Sequence, residues 1–140
     1  MNIIQGNLLD VDHGIICHQV NCKHVMGAGL AAQIRRKYPR HYGDYVSRIP
    51  HLGGLCITQI DSDLYVVGIY GQDGYGRDKQ YTQYPALEKG LAAVAKLGKE
   101  YSLPVYLPYG IGCGLAGGDW SIVSKIIERV VPEAIVVRKE

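Results

Sequence analysis

Apolar and β-branched residues gather in short runs at residues 2–4, 14–20, 55–60, 64–70, 105–108 and 134–138, and these are the expected strands. Asp61-Ser62-Asp63, between the third and fourth runs, is a turn signal, so those two strands are expected to pair as a hairpin. Three other segments repeat their apolar positions at helical spacing. The first opens at Gly27, sets Leu30, Ile34 and Tyr38 on one face, and stops before Pro39. The second begins near Thr82–Pro85, where proline is tolerated in the first turn, turns Leu87, Leu91, Val94 and Ala95 inward, and ends at Gly98 as its expected C-cap. The third follows Asp119, a residue type suited to N-capping, buries Ile122, Val123, Ile126, Ile127 and Val130, and is terminated by Pro132. A further short helix is expected between Pro39 and Pro50.

Strands alternating with helices predict a layered α/β fold, and the hairpin makes its sheet mixed rather than purely parallel. With 140 residues, 47% of them hydrophobic, the chain is expected to form one domain, residues 1–140, with a single buried core. No apolar run approaches the roughly 20 residues needed to span a bilayer, and the first residues lack the pattern of a signal peptide. Cys17, Cys22, Cys56 and Cys113 form no CxxC pair and are expected to be free thiols in a reducing compartment, which predicts a cytoplasmic protein with no membrane partner. The net charge of +2 and the single basic cluster, Arg35-Arg36-Lys37 at a helix end, give no basic stripe of the kind a nucleic-acid binder shows.

Chemistry concentrates in two glycine-rich segments. Asn21-Cys22-Lys23-His24-Val25-Met26-Gly27-Ala28-Gly29-Leu30 leaves a buried strand and enters a helix; so does Tyr109-Gly110-Ile111-Gly112-Cys113-Gly114-Leu115-Ala116-Gly117-Gly118-Asp119-Trp120. Glycine lets a ligand approach the backbone, and the N–H groups at a helix start attract anions, so the pair predicts a diphosphate held between two helix ends. Residues 27–32 match G-x-G-x-x-A, the fingerprint of a dinucleotide-binding site. Two features speak against that reading: residues 21–26 intervene after the strand, and no acid stands at residues 47–51 where one is expected. A P-loop is excluded, since no G-K-[ST] follows either cluster. An eleven-residue irregular stretch, residues 71–81, has the length of a functional lid and carries or is flanked by Tyr70, Tyr75, Tyr81 and Tyr84.

Gln5-Gly6-Asn7-Leu8-Leu9, Gln19-Val20-Asn21-Cys22, Met26-Gly27-Ala28-Gly29-Leu30-Ala31 and Pro108-Tyr109-Gly110-Ile111-Gly112-Cys113-Gly114-Leu115 together resemble the macro domain family, which recognises ADP-ribose. The chain looks closest to the branch containing the terminal ADP-ribose protein glycohydrolase and phage or toxin–antitoxin relatives. That resemblance implies a three-layer α/β/α sandwich with a mixed central sheet and no cofactor or metal. Gly27, Ala28, Gly29 and Leu30 on one side, and Ile111, Gly112, Cys113, Gly114 and Leu115 on the other, would wrap the diphosphate and distal ribose with backbone N–H groups. Asn7 stands where the family commonly has an aspartate facing the adenine amino group; an amide oxygen can accept the same bond. Asn21 falls beside the distal ribose, and Leu8, Gln19, Val20, Met26, Tyr109 and Gly110 complete the implied ligand site.

The family includes readers of ADP-ribose and hydrolases acting on proteins, nucleic acids or ADP-ribose 1''-phosphate. The expectation here is a hydrolase of an ADP-ribosyl linkage or of that phosphate, with a non-catalytic reader as the alternative and nucleic acid a partner only as an ADP-ribosylated substrate. The glycohydrolase branch uses a lysine after the central strand and an aspartate directly after G-C-G-L. This chain has neither: residues 69–73 are Ile-Tyr-Gly-Gln-Asp, and Leu115 is followed by Ala116. The catalytic candidates that remain are Asp119, as a base or water holder that also suits an N-cap, and Asn21, to position a water or a ribose hydroxyl. Cys113 lies near an expected helix start, which can lower a thiol pKa, with His18 as a conceivable base; a small residue filling a tight loop is the simpler account. Cys17 and His18 point to opposite faces of a strand and cannot share a metal.

Overall fold

The computed structural model describes residues 1–139. Six strands form one sheet: β1 (Asn2–Gln5), β2 (Gly14–Asn21), β3 (Leu55–Asp61), β4 (Leu64–Gln72), β5 (Val105–Pro108) and β6 (Ile135–Arg138), in the order β1-β6-β5-β2-β4-β3. Every pairing is parallel except β3 with β4, the expected hairpin. Four helices cover it: α1 (Gly29–Lys37), α2 (Pro39–Ser47), α3 (Tyr84–Tyr101) and α4 (Trp120–Val130).

β2 lies at the centre and all but one of its residues are buried, as its near-continuous apolar run requires of a parallel strand covered on both faces. Its alternate residues divide the core. Ile15 and Cys17 join Val67, Ile69 and Leu107 beneath Leu87, Leu91 and Val94 of α3 and Val123 and Ile127 of α4. Ile16 and Val20 face the opposite layer, against Ile34 of α1 and Tyr45 of α2. The result is the expected three-layer α/β/α sandwich. Among the described residues, no helix is long and apolar enough to cross a membrane.

Several local expectations need correction. α1 begins at Gly29 rather than Gly27, with Ala28 at its N-cap. α3 runs three residues past Gly98 and is capped by Ser102, which takes the left-handed conformation at φ +54°. Gly98 is glycine for a different reason: a Cβ there would stand 2.8 Å from Val105 Cγ2, so the helix can approach β5 only without one. On α4, Val123, Ile126 and Ile127 are buried, but Ile122 is 41% exposed and Val130 is half-buried, because both flank the buried stripe.

Candidate functional site

Because β2, β4 and β5 are parallel, the segments that follow them emerge at one end of the sheet. From β2 the chain passes through α1 and α2 to β3 and β4 on one side; from β5 it passes through α4 to β6 on the other. β2 and β5 are neighbours, so their C-terminal ends form a topological switch point, where open α/β sheets bind ligands. Both glycine-rich segments start there.

In the first segment the chain winds around Asn21. Its Oδ1 accepts N–H bonds from Lys23 (2.9 Å) and Val25 (3.4 Å), and its Nδ2 donates to the Val25 carbonyl at 2.9 Å. One N–H of the amide is left over. Met26 is buried in the core, whereas Gly27, Ala28 and Gly29 are exposed. The α1 N-terminus has no side-chain cap and no acidic residue in its first turn, so its N–H groups and positive dipole end are left open.

The second segment forms a chain of tight turns. Ile111, Cys113 and Gly117 donate N–H bonds to the carbonyls of Pro108, Gly110 and Gly114, at 3.1, 2.8 and 3.0 Å. Among the described residues, the N–H groups of Gly110, Gly112, Gly114, Leu115 and Ala116 donate to no protein acceptor. Gly110 and Gly112 take left-handed φ of +78° and +75°, and alternation of such residues with ordinary ones builds an amide concavity suited to anions.

The expectation of two equivalent helix starts is corrected here. Asp119 caps α4: its Oδ1 accepts from the Ser121 N–H (2.9 Å) and the Ser121 hydroxyl (2.7 Å), and these bonds hold its carboxyl below the usual range. An ionised carboxylate on that terminus opposes a second anion. The open amides of the second segment therefore belong to the loop rather than to the helix.

A third segment holds the first two together. The stretch expected to be irregular narrows to residues 73–81, since Gly71 and Gln72 still belong to β4 and Gln72 bridges to Thr82. The Asp73 carbonyl accepts from the Cys22 N–H (2.9 Å), and the Ala116 carbonyl accepts from Tyr81 (2.7 Å) and Thr82 (3.2 Å). Beneath them, Gln19 Nε2 donates to Gln72 Oε1 (2.7 Å) and Thr82 Oγ1 (2.9 Å), and the Thr82 hydroxyl donates to the Gly112 carbonyl (2.6 Å). Gln72 and Thr82 are site-building residues that sequence reasoning missed; no motif marks them, because their partners lie 30 to 63 positions away.

The other site candidates fall as follows. Leu8 and Val20 are buried in the core. Tyr109 packs on Trp120 at 4.6 Å, with the Arg138 guanidinium 4.4 Å from its ring centre. Asn7 caps a short 3-10 turn (Leu8–Asp10) by accepting the Leu9 N–H at 2.9 Å, and it lines a cleft of about 390 Å³ with Gly6, Tyr106 and Val137. A second cleft of about 360 Å³ lies between α3 and α4, from Tyr84, whose hydroxyl accepts the Asp119 N–H at 3.0 Å, to the exposed Ile122. Burial, helped by nearby Asp119, pushes the Cys113 thiol up to about 11, so the helix start does not activate it. His18 is bonded to His41 and packs on the opposite face of β2, unavailable to Cys113. Among the described residues no group of three metal-ligating side chains comes together.

The glycines themselves carry information. Gly112 and Gly29 need their left-handed φ, and Gly118 lets the backbone pass close to the Gly112 carbonyl. Gly27 and Gly114 have no such reason. Neither has positive φ; a Cβ at Gly27 would meet only Val25 Cγ1 at 3.8 Å, and one at Gly114 would meet nothing within 4 Å. The protein would accommodate a side chain at either position.

Comparison with known proteins bears on the fold. No family model matches the chain. It is 24% identical over 127 residues to a DNA ADP-ribosyl glycohydrolase of Mycobacterium tuberculosis, covering 86% of this chain and 35% of that protein. The chain thus spans about a third of the length of the mycobacterial relatives it matches. It is 25% identical over 127 residues to an uncharacterized 17.5 kDa protein of phage T4, covering 81% of this chain and 77% of the phage protein. Among solved structures, a Bacteroides thetaiotaomicron protein of unknown function superposes with a TM-score of 0.85 at 27% identity, over 99% of this chain and 97% of that one. The macrodomain of Thermus aquaticus DarG superposes with a TM-score of 0.82 at 22% identity, over 99% and 97%. Thermosipho africanus DarTG, solved in complex with ADP-ribose, gives 0.78 at 19% identity, over 99% of this chain and 42% of that one. With its mixed sheet between helix layers superposing on these macrodomains over 99% of its length, the chain folds as a macrodomain.

Proposed function

We propose that the protein binds ADP-ribose across the C-terminal ends of β2 and β5. The diphosphate lies between the amides of Gly27, Ala28, Gly29 and Leu30 and those of Gly112, Gly114 and Leu115. Adenine occupies the cleft beside Asn7, and the distal ribose meets the remaining Asn21 N–H. The observation that carries this reading is the clearance at Gly27 and Gly114: an ordinary-φ glycine with room for a Cβ in each of the two loops that follow the adjacent strands β2 and β5. The names of the mycobacterial relatives and the ligand of the DarTG structure support it. A thermal-shift series tests it, with ADP-ribose expected to stabilise the protein more than NAD or AMP at equal concentration. Equal shifts with NAD would favour a dinucleotide binder instead.

Within that reading, the protein hydrolyses an ADP-ribosyl linkage on a macromolecule, protein or nucleic acid, or removes the phosphate of ADP-ribose 1''-phosphate. Asp119 holds the attacking water through the carboxylate oxygen not engaged by Ser121. The four free thiols fit a reducing, cytoplasmic setting. One observation favours the second reading, a non-catalytic reader: the bonds that cap α4 also make Asp119 a weak base. Asp119→Asn separates the two functions of the side chain, because asparagine caps a helix as well as aspartate does. The variant is expected to melt near the wild-type temperature, bind ADP-ribose unchanged, and lose at least ~100-fold in the rate of ADP-ribose or phosphate release. Unchanged release would remove Asp119 from the mechanism, and no release by the wild type at high concentration would leave the reader.

A further inference from the structure

α2 is a nine-residue helix whose inward face meets the rest of the protein through two polar side chains one turn apart, His41 and Tyr45. His41 Nδ1 lies 2.8 Å from Thr58 Oγ1 on β3, and its Nε2 lies 2.9 Å from His18 Nε2 on β2. The Thr58 hydroxyl donates to Asp44 Oδ2 at 2.7 Å, so it accepts from His41 Nδ1–H, and His18 Nε2–H donates to His41 Nε2. This fixes the helix against the sheet at its first turn.

The second turn bears on the ligand loop. Tyr45 is fully buried; its ring stacks on Tyr70, with centres 6.1 Å apart, and His24 meets it edge-on at 5.6 Å. Its hydroxyl donates to the Asn21 carbonyl oxygen at 2.6 Å and lies 2.8 Å from Asn21 Oδ1. That Oδ1 is the atom around which residues 22–25 turn, through the Lys23 and Val25 N–H groups. The turn passes through His24 at φ +62°, a conformation a side-chain-bearing residue keeps only where surrounding contacts impose it. The open amides begin immediately afterwards.

We propose that Tyr45 is the positioning residue of the first ligand loop: its hydroxyl holds Asn21, and Asn21 in turn sets where the amides of Gly27, Ala28 and Gly29 meet the diphosphate. This rests on the ADP-ribose reading above. Tyr45 touches no ligand and lies 16 residues from Gly29 in sequence, so no motif contains it.

Tyr45→Phe keeps the ring and removes the hydroxyl. Titration calorimetry with ADP-ribose is expected to show about tenfold weaker binding, the effect of one lost buried hydrogen bond. In the ligand-free ¹H–¹⁵N spectrum, the amide signals of residues 22–30 should move while those of residues 110–116 stay in place. A merely structural defect would move both sets. Tyr70→Phe is the control: the Tyr70 hydroxyl, in the same cluster beside Cys56, bonds neither Asn21 nor any loop amide, and its loss should change neither affinity nor loop signals. Wild-type affinity in Tyr45→Phe, or an unmoved first loop, would overturn the proposal. If wild-type protein fails to bind ADP-ribose, the functional reading falls, while the ligand-free spectrum still decides whether Tyr45 holds the loop. Should Tyr45→Phe not fold, the ligand-free wild-type protein decides: a slowly exchanging Tyr45 hydroxyl proton with cross-peaks to residues 21–25 would support the proposal, and a hydroxyl proton in rapid exchange with water would overturn it.

Discussion

Gly114→Val, and separately Gly27→Val, is expected to leave the fold standing and to weaken ADP-ribose binding at least ~100-fold, about 2.7 kcal/mol. Both positions have ordinary φ and room for a Cβ, so the first carbon of the new side chain meets no protein atom that must shift. The unfolded chain also loses some conformational freedom on losing glycine, which offsets small strains in the folded state. The bound diphosphate, however, would have to share its space with an isopropyl group. Calorimetric titration alongside thermal melts separates the two effects. Gly43→Ala supplies the contrast: this exposed α2 glycine also has an unobstructed Cβ position, but it lies away from both loops. That change should raise stability by roughly 0.5–1 kcal/mol and leave affinity unchanged. A Gly114→Val protein that binds as wild type would show that its clearance serves no ligand. Gly112 is unsuited to the experiment, because any side chain at φ +75° would strain the loop itself.

Acid should cost the protein about 3 kcal/mol of stability between pH 6.5 and pH 4, from His41 alone. Burial lowers the His41 pKa from 6.5 to about 4; Asp44 opposes that shift and Arg48 adds to it. Burial, with His41 beside it, holds His18 well below the same ordinary value. The polar and charged groups that bear on the pair are the Thr58 hydroxyl on β3, Asp44 on α2 and Arg48 just past the end of α2. Both imidazoles are neutral when folded and gain a proton more readily when unfolded. Their contribution is therefore complete above the unfolded pKa of 6.5 and is lost as pH falls, at roughly 1.4 kcal/mol per pH unit for each histidine. Asp78 and Asp119, whose carboxyl pKa values are lowered, lose their contributions only below the ordinary carboxylate value of 3.8, outside this window. Urea midpoints measured from pH 7.5 to pH 4.5 check the prediction, and a flat profile would contradict it.

What the sequence reveals about this molecule is what depends on neighbours in the chain. The strand runs, the hairpin at Asp61-Ser62-Asp63, the Asp119 cap and the two glycine segments all rest on local patterns, and the structure places both segments on adjacent parallel strands. Where expectation failed, a distant contact decided. Gly98 looked like a helix end but is empty to admit Val105 of β5. Ile122 fits an apolar period yet sits at the edge of the stripe that α4 buries. The second loop looked like another helix-start anion site, but the carboxylate expected to cap α4 also closes that end to anions. Tyr45, Gln72 and Thr82 hold the site from elements outside every motif, and a polar residue with a remote partner reads in sequence like any surface residue. The His18–His41 pair was hidden in the same way, 23 residues apart and on different elements.

The central claim is that two amide-lined loops, one after β2 and one after β5, grip the same diphosphate. The most direct measurement is a ¹H–¹⁵N titration of the ligand-free protein with ADP-ribose. The amides of Gly27, Ala28, Gly29 and Leu30 and those of Gly112, Gly114 and Leu115 should shift together, along a single binding curve. Shifts confined to one loop, or clustered on the α3–α4 cleft around Ile122, would contradict it.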